Sequence, residues 1–366
     1  MSAPSRLELE LEGRPYQIVV GEGLLDDLGA QVPLPLHARR ALVVTQAPVV
    51  AHGYVGRVES ALVSAGLDVR VHEVPDGEGA KSPGVLVDLW EACADWPLGR
   101  DDLVVAVGGG VVGDLAGFVA ATWMRGVALL QVPTTLLAMV DASIGGKTGI
   151  NLAQGKNLVG AFRQPLAVAA DPSVLATLPE RLRVEGVAEI VKAGLLADGT
   201  LVERIERDPE GVRRGDTDLL HSLVLRAAAI KARVVAADEY EAGERAHLNL
   251  GHTYGHVLET LAGYGTYLHG EAVAVGLVVA TEVGVDLGRT SPDLAARVRS
   301  VLEAVGLPVD VPVLERDAVH ATMARDKKAR SGVRMVLLED IGRAVLEPVG
   351  PGVLDRVLDR LEATPR

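Results

Sequence analysis

The sequence predicts an α/β protein in which an N-terminal domain built on a parallel sheet is followed by a mainly α-helical domain. Short β-rich runs alternate with helical stretches as far as about residue 170, and this alternation is typical of a parallel sheet covered by helices. Beyond about residue 172, long helical patterns replace the strands. We therefore expect two domains, 1–172 and 173–366, which suits a chain of 366 residues.

The individual elements follow from residue pattern. Aliphatic and β-branched runs bounded by turn residues predict strands, and apolar residues at helical spacing predict helices. In the first domain the expected strands are RLELEL, YQIVV, ALVVT, DVRVHEV, DLVVAV and ALLQV, with helices near 54–66, 84–97 and 111–122. In the second, helices are expected at 178–195, 219–237, 245–262, 269–287 and 293–304, and RMVLLED with GRAVLEPV predicts a hairpin or an added sheet edge.

Composition excludes several classes of protein. The formal net charge of −13 argues against nucleic-acid and anionic-membrane binding, although basic residues that converge locally can still hold a phosphate. One cysteine, Cys93, rules out an intramolecular disulfide and suits the reducing cytoplasm; we interpret it as a buried helix residue. The N-terminus lacks a signal-peptide core, and no apolar run reaches about 18 residues, so we expect a cytoplasmic protein.

Three polar, glycine-bearing loops follow predicted strands. In DDLVVAVGGGVVGDLAG a strand leads through Gly108, Gly109 and Gly110 into a helix, and VPDGEGAKS and QVPTTLLAMVDAS follow two other strands. Glycines let a ligand approach the backbone, and a helix N-terminus offers unpaired N–H groups to phosphate. Parallel sheets bind ligands at this edge, so the three loops together predict a nucleotide site. Tight packing alone is the alternative for the glycine turn.

Lysines occur in unusually uncharged surroundings. DASIGGKTGINLAQGKN, residues 141–157, contains Lys147 and Lys156 among glycines and small polar residues. It predicts either a phosphate or carboxylate site or a solvated loop. Lys231 among alanines and valines either snorkels or is functional. Glu189 and Lys192, three residues apart on a helix, could form a simple surface ion pair.

LNLGHTYGH predicts a metal site. His252 and His256 are four residues apart and share a helix face, and His269 begins the next helical run. No HExxH sequence is present, which removes the metalloprotease interpretation. Glu189 with two or three of these histidines supplies the three protein ligands usual for catalytic zinc, although any one histidine could instead have a structural role.

Six separated motifs, in order, resemble the 3-dehydroquinate synthase family. They are GGGVVGDLAGFVAATWMRG, QVPTTLLAMVDASIGGKTGIN, GKNLVGAF, LPE with GVAEIVKAG, LNLGHTYGH and LHGEAVAVG. The resemblance spans about residues 40–345 and implies a sugar phosphate cyclase with an NAD-binding α/β domain and a helical metal domain. It implies conversion of 3-deoxy-D-arabino-heptulosonate 7-phosphate to 3-dehydroquinate and phosphate. The steps implied are transient oxidation by NAD, phosphate elimination, reduction and an intramolecular aldol cyclisation.

The resemblance also implies a role for each matching residue. Glu189, His252 and His269 match the ligands of a divalent metal, Zn²⁺ first and Co²⁺ as the alternative. Residues matching the substrate-binding set are Arg125, which reaches in from the partner subunit of a homodimer, Lys147, Asn157, Arg245 and Lys327, with Lys328 as the alternative to Lys327. Those matching catalytic groups are Asp141, Lys192, Lys231, Asn249 and His256, the last beside the substrate phosphate. Those matching NAD contacts are Asp76, Glu78, Lys81, Gly110, Asp114, Thr134, Thr135, Lys147 and Lys156.

This sequence departs from the family pattern at Val184-Glu185, Ala193, Arg163 and Gln46, which flank the matched residues and bear on substrate preference. Three alternatives stay open: a sister cyclase acting on sedoheptulose 7-phosphate or on an amino analogue, a metal-dependent polyol or alcohol dehydrogenase, and a non-catalytic metal-binding protein. The phosphate-binding lysines count against the dehydrogenase, which also predicts net NADH accumulation.

Overall fold

The computed structural model describes residues 3–241, 243–263, 265–326 and 333–363. The chain divides into two compact units. Unit 1 comprises Met1–Leu178 with Leu220–Tyr240, and unit 2 comprises Pro179–Leu219 with Glu241–Arg366.

Most strands of the described chain belong to unit 1, where short apolar runs alternate with helices. The strands are β1 Ser5–Leu9, β2 Tyr16–Val20, β3 Arg40–Gln46, β4 Asp68–Val74, β5 Leu103–Gly108, β6 Ala128–Pro133, β7 Lys147–Leu152, β8 Gly155–Phe162, β9 Ala167–Ala170, β10 Arg334–Asp340 and β11 Arg343–Pro348.

The main sheet of unit 1 has seven strands in the order β1-β2-β9-β6-β5-β3-β4. Only β1 pairs antiparallel with its neighbour; all other pairs are parallel. Strand β5 is buried along its whole length, as expected for a parallel strand covered on both faces. The predicted parallel sheet is therefore confirmed, and the ends of β4, β5 and β6 lie at the same edge.

Helices cover this sheet and form most of unit 2. They are α1 Leu28–Gln31, α2 Ala47–Ala51, α3 Tyr54–Ser64, α4 Pro83–Asp95, α5 Gly110–Thr122, α6 Glu180–Ala197, α7 Gly199–Arg207, α8 Pro209–Arg214, α9 Thr217–Ala237, α10 His252–Leu261, α11 His269–Asp286, α12 Pro292–Ala304, α13 Arg316–Asp326 and α14 Pro351–Glu362. Short 3₁₀ turns occupy Leu24–Asp27, Glu78–Ala80, Trp123–Arg125, Pro172–Thr177 and Glu244–Asn249, and a π-helical turn occupies Ala138–Ala142. From Leu220 onwards α9 belongs to unit 1.

Unit 2 is mainly helical, as predicted, and β10 and β11 form an antiparallel hairpin, which is one of the two predicted forms. Helix α11 is buried along almost its whole length, because Ala, Val, Gly and Leu occupy all of its faces and neighbouring helices pack around it. Within the described part of the chain, no helix combines the length and hydropathy that a membrane span requires.

One helix prediction was wrong. The helix expected at 245–262 is a 3₁₀ turn followed by α10, and the break lies at Gly251, whose φ of 79° is left-handed. The glycine-rich segment 141–157, for which a solvated loop was one of two interpretations, enters the antiparallel hairpin β7–β8. The prediction for Cys93 is confirmed, since its thiol is buried on α4.

Candidate active site

The glycine turn of unit 1 joins the end of β5 to the start of α5. An added Cβ would lie 2.6 Å from the Val112 side chain at Gly108 and 3.1 Å from Thr135 Cγ2 at Gly109. Close packing therefore requires the absence of side chains here. Because the turn consists of glycines, no side chain covers the backbone next to the first N–H groups of the 13-residue helix α5. This arrangement is suited to binding a pyrophosphate.

Lys81 ties three segments of unit 1 together. Its Nζ donates to Asp114 Oδ2 at 2.6 Å on α5 and to Asn157 Oδ1 on β8, and its side chain is 4% exposed. Glu78 lies 3.7 Å away and accepts a 2.8 Å hydrogen bond from Asn151 Nδ2. Burial raises the pKa of Asp114, while the Lys81 ammonium opposes that rise. The glycine-bearing loop after β4, helix α5 and the hairpin thus share one polar network.

The loop after β6 supplies the next predicted residues. Thr134 N–H donates to Gly108 O at 2.9 Å, and Thr135 Oγ1 accepts from Ala138 N–H at 3.2 Å. The π-helical turn that follows contains Asp141, whose Oδ1 accepts a 2.6 Å hydrogen bond from Lys231 Nζ on α9. π-helical turns are frequent at functional sites because they re-aim a side chain.

The remaining predicted residues of unit 1 lie in exposed or half-buried positions. Lys147 is exposed at the start of β7, Lys156 is half-buried on β8, and Asp76 is exposed after β4. Asn157 has a left-handed φ of 55°, and so does Arg125, with φ 68°. Such conformations in residues other than glycine persist where surrounding contacts hold them.

Unit 2 brings together one carboxylate and two imidazoles. Glu189 lies on α6, and His252 and His269 are the first residues of α10 and α11. His252 Nε2 and His269 Nε2 lie 3.6 and 3.8 Å from Glu189 Oε1. The three candidate ligand atoms all lie within 4.8 Å of one another.

These residues fit a divalent metal ion. Within the described residues neither buried oxygen of Glu189 accepts a hydrogen bond of acceptable geometry, although the Lys192 ammonium forms an ion pair with Oε2. His252 Nδ1 contacts Leu250 O at 3.2 Å, which leaves Nε2 as the acceptor atom facing Glu189. Burial, followed by the Lys192 charge, lowers the pKa of His252 well below its ordinary range, which favours the neutral, metal-binding form. Two imidazole nitrogens and a carboxylate form a donor set typical of catalytic zinc.

His256 lies near this group but outside it. Its ring centroid is 5.5 Å from that of His252 and 6.4 Å from that of His269. Among the described residues, the cluster that could hold a metal consists of Glu189, His252 and His269.

Two other predicted residues of unit 2 lie in the 3₁₀ turn that precedes α10. Arg245 is buried in the 3₁₀ turn before α10. Asn249, from the same turn, donates from Nδ2 to Glu241 Oε1 at 3.0 Å. The predicted Lys327, and its alternative Lys328, lie outside the described residues.

Sequence reasoning missed two carboxylates in unit 2. Glu241 accepts from Asn249 and has a left-handed φ of 58°; no pattern in its segment indicates this. Glu259 is buried, and its Oε2 lies 3.5 Å from His269 Nδ1. Glu259 stands two turns after His252 on α10, and that spacing could have placed it on the histidine face.

Comparisons with known proteins decide the family. The model of the 3-dehydroquinate synthase N-terminal region matches residues 71–185, and that of the C-terminal region matches 186–329. The chain belongs to the 3-dehydroquinate synthase family. It is 48% identical over 340 residues to the 3-dehydroquinate synthase of Synechococcus sp. strain CC9605, covering 92% of each chain. It is 47% identical over 337 residues to that of Geobacter metallireducens, covering 92% of this chain and 93% of the relative.

Solved structures place this 3-dehydroquinate synthase family member among related cyclases. A 2-deoxy-scyllo-inosose synthase complexed with carbaglucose-6-phosphate, NAD⁺ and Co²⁺ has a TM-score of 0.87 at 25% identity, covering 97% of this chain and 100% of that one. The 2-epi-5-epi-valiolone synthase ValA of Streptomyces hygroscopicus subsp. jinggangensis 5008, with NAD⁺ and Zn²⁺ bound, has a TM-score of 0.87 at 28% identity, covering 94% and 96%. An iron-containing alcohol dehydrogenase shares the fold alone, with a TM-score of 0.69 at 16% identity, covering 100% of both chains.

Proposed function

We propose that the protein converts 3-deoxy-D-arabino-heptulosonate 7-phosphate to 3-dehydroquinate and phosphate, with NAD and one divalent metal ion. The observation that supports this most is the grouping of Glu189, His252 and His269 in a chain that is 48% identical over 340 residues to a 3-dehydroquinate synthase. Two cyclases of similar structure bind NAD⁺ with Co²⁺ or Zn²⁺. We take Zn²⁺ as the first choice of metal and Co²⁺ as the alternative.

In this proposal the two units hold different groups. The metal is held in unit 2 by Glu189, His252 and His269, and NAD is held in unit 1. When bound, the metal supplies Lewis-acid polarisation of the hydroxyl that is oxidised, and NAD accepts and returns a hydride. The proposed NAD contacts are Asp76, Glu78, Lys81, Gly110, Asp114, Thr134, Thr135, Lys147 and Lys156.

Cationic and polar side chains then hold the phosphate of the substrate. Lys147, Arg245 and Asn157 bind it by charge and hydrogen bonds, and His256 lies beside it as the group that can pass a proton to the leaving phosphate. Arg245 is 1% exposed, so its guanidinium is a buried cation. Lys327 is proposed as a further phosphate contact.

The carboxylate and hydroxyl groups of the substrate require a second set of contacts. We assign these to Asp141, Lys231, Lys192 and Asn249. The 2.6 Å hydrogen bond from Lys231 to Asp141 orients both of these side chains, and the 3.0 Å bond from Asn249 to Glu241 orients Asn249. Holding the substrate at several points keeps reacting atoms aligned through successive steps.

The proposal is tested by supplying the purified protein with 3-deoxy-D-arabino-heptulosonate 7-phosphate, NAD⁺ and Zn²⁺. We expect phosphate and 3-dehydroquinate to form in equal amounts without net NADH at 340 nm. Sedoheptulose 7-phosphate and the amino analogue serve as competing substrates. Turnover of either one, with none of the heptulosonate, would establish a sister cyclase; NADH accumulation would establish a dehydrogenase.

We further propose a cytoplasmic homodimer in which Arg125 of one protomer serves the substrate site of its partner. The single cysteine supports a reducing compartment. Arg125 is exposed in a turn with consecutive left-handed residues, a position from which a side chain can reach another chain. Sedimentation velocity at several concentrations tests the dimer. Mixing an Arg125→Ala variant with a variant inactive through Lys147→Ala should restore part of the activity if the arginine acts across protomers.

A further inference from the structure

Glu259 is a buried carboxylate of α10 that the proposed reaction does not use. It lies two turns after His252 on the same helix, and its side chain is 8% exposed. Its Oε2 lies 3.5 Å from His269 Nδ1 on α11. The other ring nitrogen of His269, Nε2, lies 3.8 Å from Glu189 Oε1. The ring of His269 thus stands between two carboxylates.

His252 has the same arrangement with a different oxygen. Its Nδ1 contacts Leu250 O at 3.2 Å, and its Nε2 lies 3.6 Å from Glu189 Oε1. Each imidazole therefore presents Nδ1 to an oxygen acceptor and Nε2 to the same oxygen of Glu189. An acceptor at Nδ1 favours the tautomer with a proton on Nδ1 and a free electron pair on Nε2.

We propose that Glu259 is a positioning residue that holds His269 in the Nδ1–H tautomer and aims its Nε2 at the metal. A carboxylate that accepts from a ligating histidine fixes the orientation of the ring and increases the basicity of the ligating nitrogen. The inference rests on the metal-binding part of the proposed function and is independent of the substrate.

Close packing of α10 on α11 keeps Glu259 and His269 in register. A Cβ at Gly276 would lie 1.9 Å from Gly251 O, and one at Gly255 would lie 3.1 Å from Ala272 O. These glycines bring the two helix backbones into direct contact. Helix α10 thereby carries His252, one proposed ligand, and Glu259, the residue that orients the other histidine ligand, His269.

The first test measures metal affinity without substrate. Glu259→Gln is compared with wild type by titrating Co²⁺ against a chelator and recording the visible absorption of bound Co²⁺. We expect affinity to fall by about 10- to 100-fold, with an altered Co²⁺ spectrum at saturation. The matched control is Glu282→Gln on α11, where Glu282 pairs with Arg360 at 3.1 Å; its affinity and spectrum should equal those of wild type. Wild-type affinity in Glu259→Gln overturns the proposal.

Glu259→Asp distinguishes positioning from the loss of a buried charge. It keeps the charge but withdraws the oxygens from His269 Nδ1, so a positioning role requires its affinity to fall below that of wild type; wild-type affinity in Glu259→Asp would assign the effect to charge alone and overturn the positioning role. Melting temperatures recorded with EDTA show whether each variant folds.

The second test needs no substitution at Glu259. The sample is wild-type protein labelled with ¹⁵N-histidine, and the ring nitrogen signals of His269 are assigned as those that disappear in His269→Asn. Without metal, their chemical shifts should show a proton on Nδ1. With Zn²⁺ added, they should show the metal bound to Nε2. Protonated Nε2, or Zn²⁺ on Nδ1, overturns the proposal even if Glu259→Gln fails to fold. If phosphate release fails while these results hold, the proposed reaction is wrong and the role of Glu259 stands.

Discussion

His252 and His256 lie one turn apart on α10 but have different neighbours. The sequence spacing predicted a shared face, and α10 contains both residues. It could not predict that His252 Nε2 would approach Glu189 Oε1 to 3.6 Å, because Glu189 comes from a helix about sixty residues earlier in the chain. The distance of each histidine from Glu189, which lies on another helix, distinguishes the proposed ligand His252 from His256; their spacing within α10 does not.

Replacing the two histidines in turn should therefore give different results. His252→Ala should strip the metal, because only two of the three ligands remain. His256→Ala should retain one metal ion per chain and lower kcat by about 100-fold or more, as expected for loss of a proton-transferring group. Metal content by mass spectrometry and phosphate release measure the two effects. Equal loss of metal in both variants would contradict this division of roles.

Glu185 makes stability depend on pH. It lies on α6, its Oε2 is 3.4 Å from Gly270 N–H, and burial raises its pKa to about 7. Its titratable neighbours are His269, Glu271 and Arg181. A carboxyl whose folded pKa is raised binds more protons when folded, so its stabilisation is present at low pH and is lost as pH rises from about 4.5 to 7.

Glu185→Gln should remove this dependence. Relative to wild type, the variant should gain stability between pH 5 and pH 8 by at most roughly 3 kcal/mol. Urea unfolding of both proteins with EDTA measures the difference, and subtraction removes the titration of groups they share. A difference that is constant with pH would contradict the raised pKa of Glu185.

Among the strands and helices, the segments that were hardest to predict from sequence contain glycines. Alternation of strands and helices was predictable because buried aliphatic runs such as β5 are local signals. The hairpin β7–β8 was not predicted, because the glycine-rich segment 141–157 was also compatible with a solvated loop. In the hairpin Gly149 and Gly160 allow close strand approach, since a Cβ at Gly160 would lie 2.1 Å from Thr148 O. Whether such a glycine belongs to a loop or to a closely packed strand depends on the strand that lies opposite it, which the local sequence does not show.

Gly276→Ala should separate α10 from α11. Its added methyl would lie 1.9 Å from Gly251 O, and backbone atoms can relieve this only by moving the helices. We expect a loss of about 3 kcal/mol in the free energy of unfolding and weaker metal binding. Gly352→Ala on α14 is the control, because its nearest atom is Arg356 Nη1 at 4.0 Å. Denaturant unfolding and Co²⁺ titration measure both; wild-type values in Gly276→Ala would show that the helices adjust freely.

Arg163 joins two loops of unit 1. Its main-chain N–H donates to Gly146 O at 2.7 Å, before Lys147, and its Nη2 donates to Val127 O, after Arg125. Within the described residues its buried Nε has no partner, and burial lowers the pKa of the guanidinium. The residue departs from the family pattern, and its two hydrogen bonds lie beside Lys147 and Arg125, two of the proposed substrate-binding residues.

Arg163→Leu should loosen the turn that presents Arg125. Loss of one charged hydrogen bond predicts a rise in KM of about 10-fold, with kcat less affected and faster hydrogen exchange in residues 123–127. Arg57→Leu is the matched control. Arg57 lies on α3 and donates from Nε to Asp26 Oδ1 at 2.7 Å, and its ion-pair partners, Asp26 and Asp171, are not proposed site residues. Unchanged KM and exchange in Arg163→Leu would show that the turn holds its shape alone.

Across the whole molecule, local sequence patterns did not predict contacts between residues that are distant in the chain. Lys81 belongs to a glycine-bearing loop that the sequence indicated, but its partners Asp114 and Asn157 lie 33 and 76 residues away. Likewise Lys231 and Asp141 are 90 residues apart. Such pairs follow from the order of strands and from α9 joining unit 1, which local patterns do not encode. Local motifs therefore indicate candidate residues, and the topology of the fold determines which of them come into contact.

The two units should respond to different ligands. The proposed NAD contacts belong to unit 1 and the proposed metal ligands to unit 2. A ligand that binds only the folded state stabilises it by about 2.7 kcal/mol at 100 times its Kd. Removing metal with EDTA should speed hydrogen exchange in Glu180–Ala197, His252–Leu261 and His269–Asp286. Adding NAD⁺ should slow it in residues 75–83 and 108–114. Metal-dependent exchange confined to unit 1 would contradict the ligand set, because stabilisation by a bound ion is strongest in the segments that hold it.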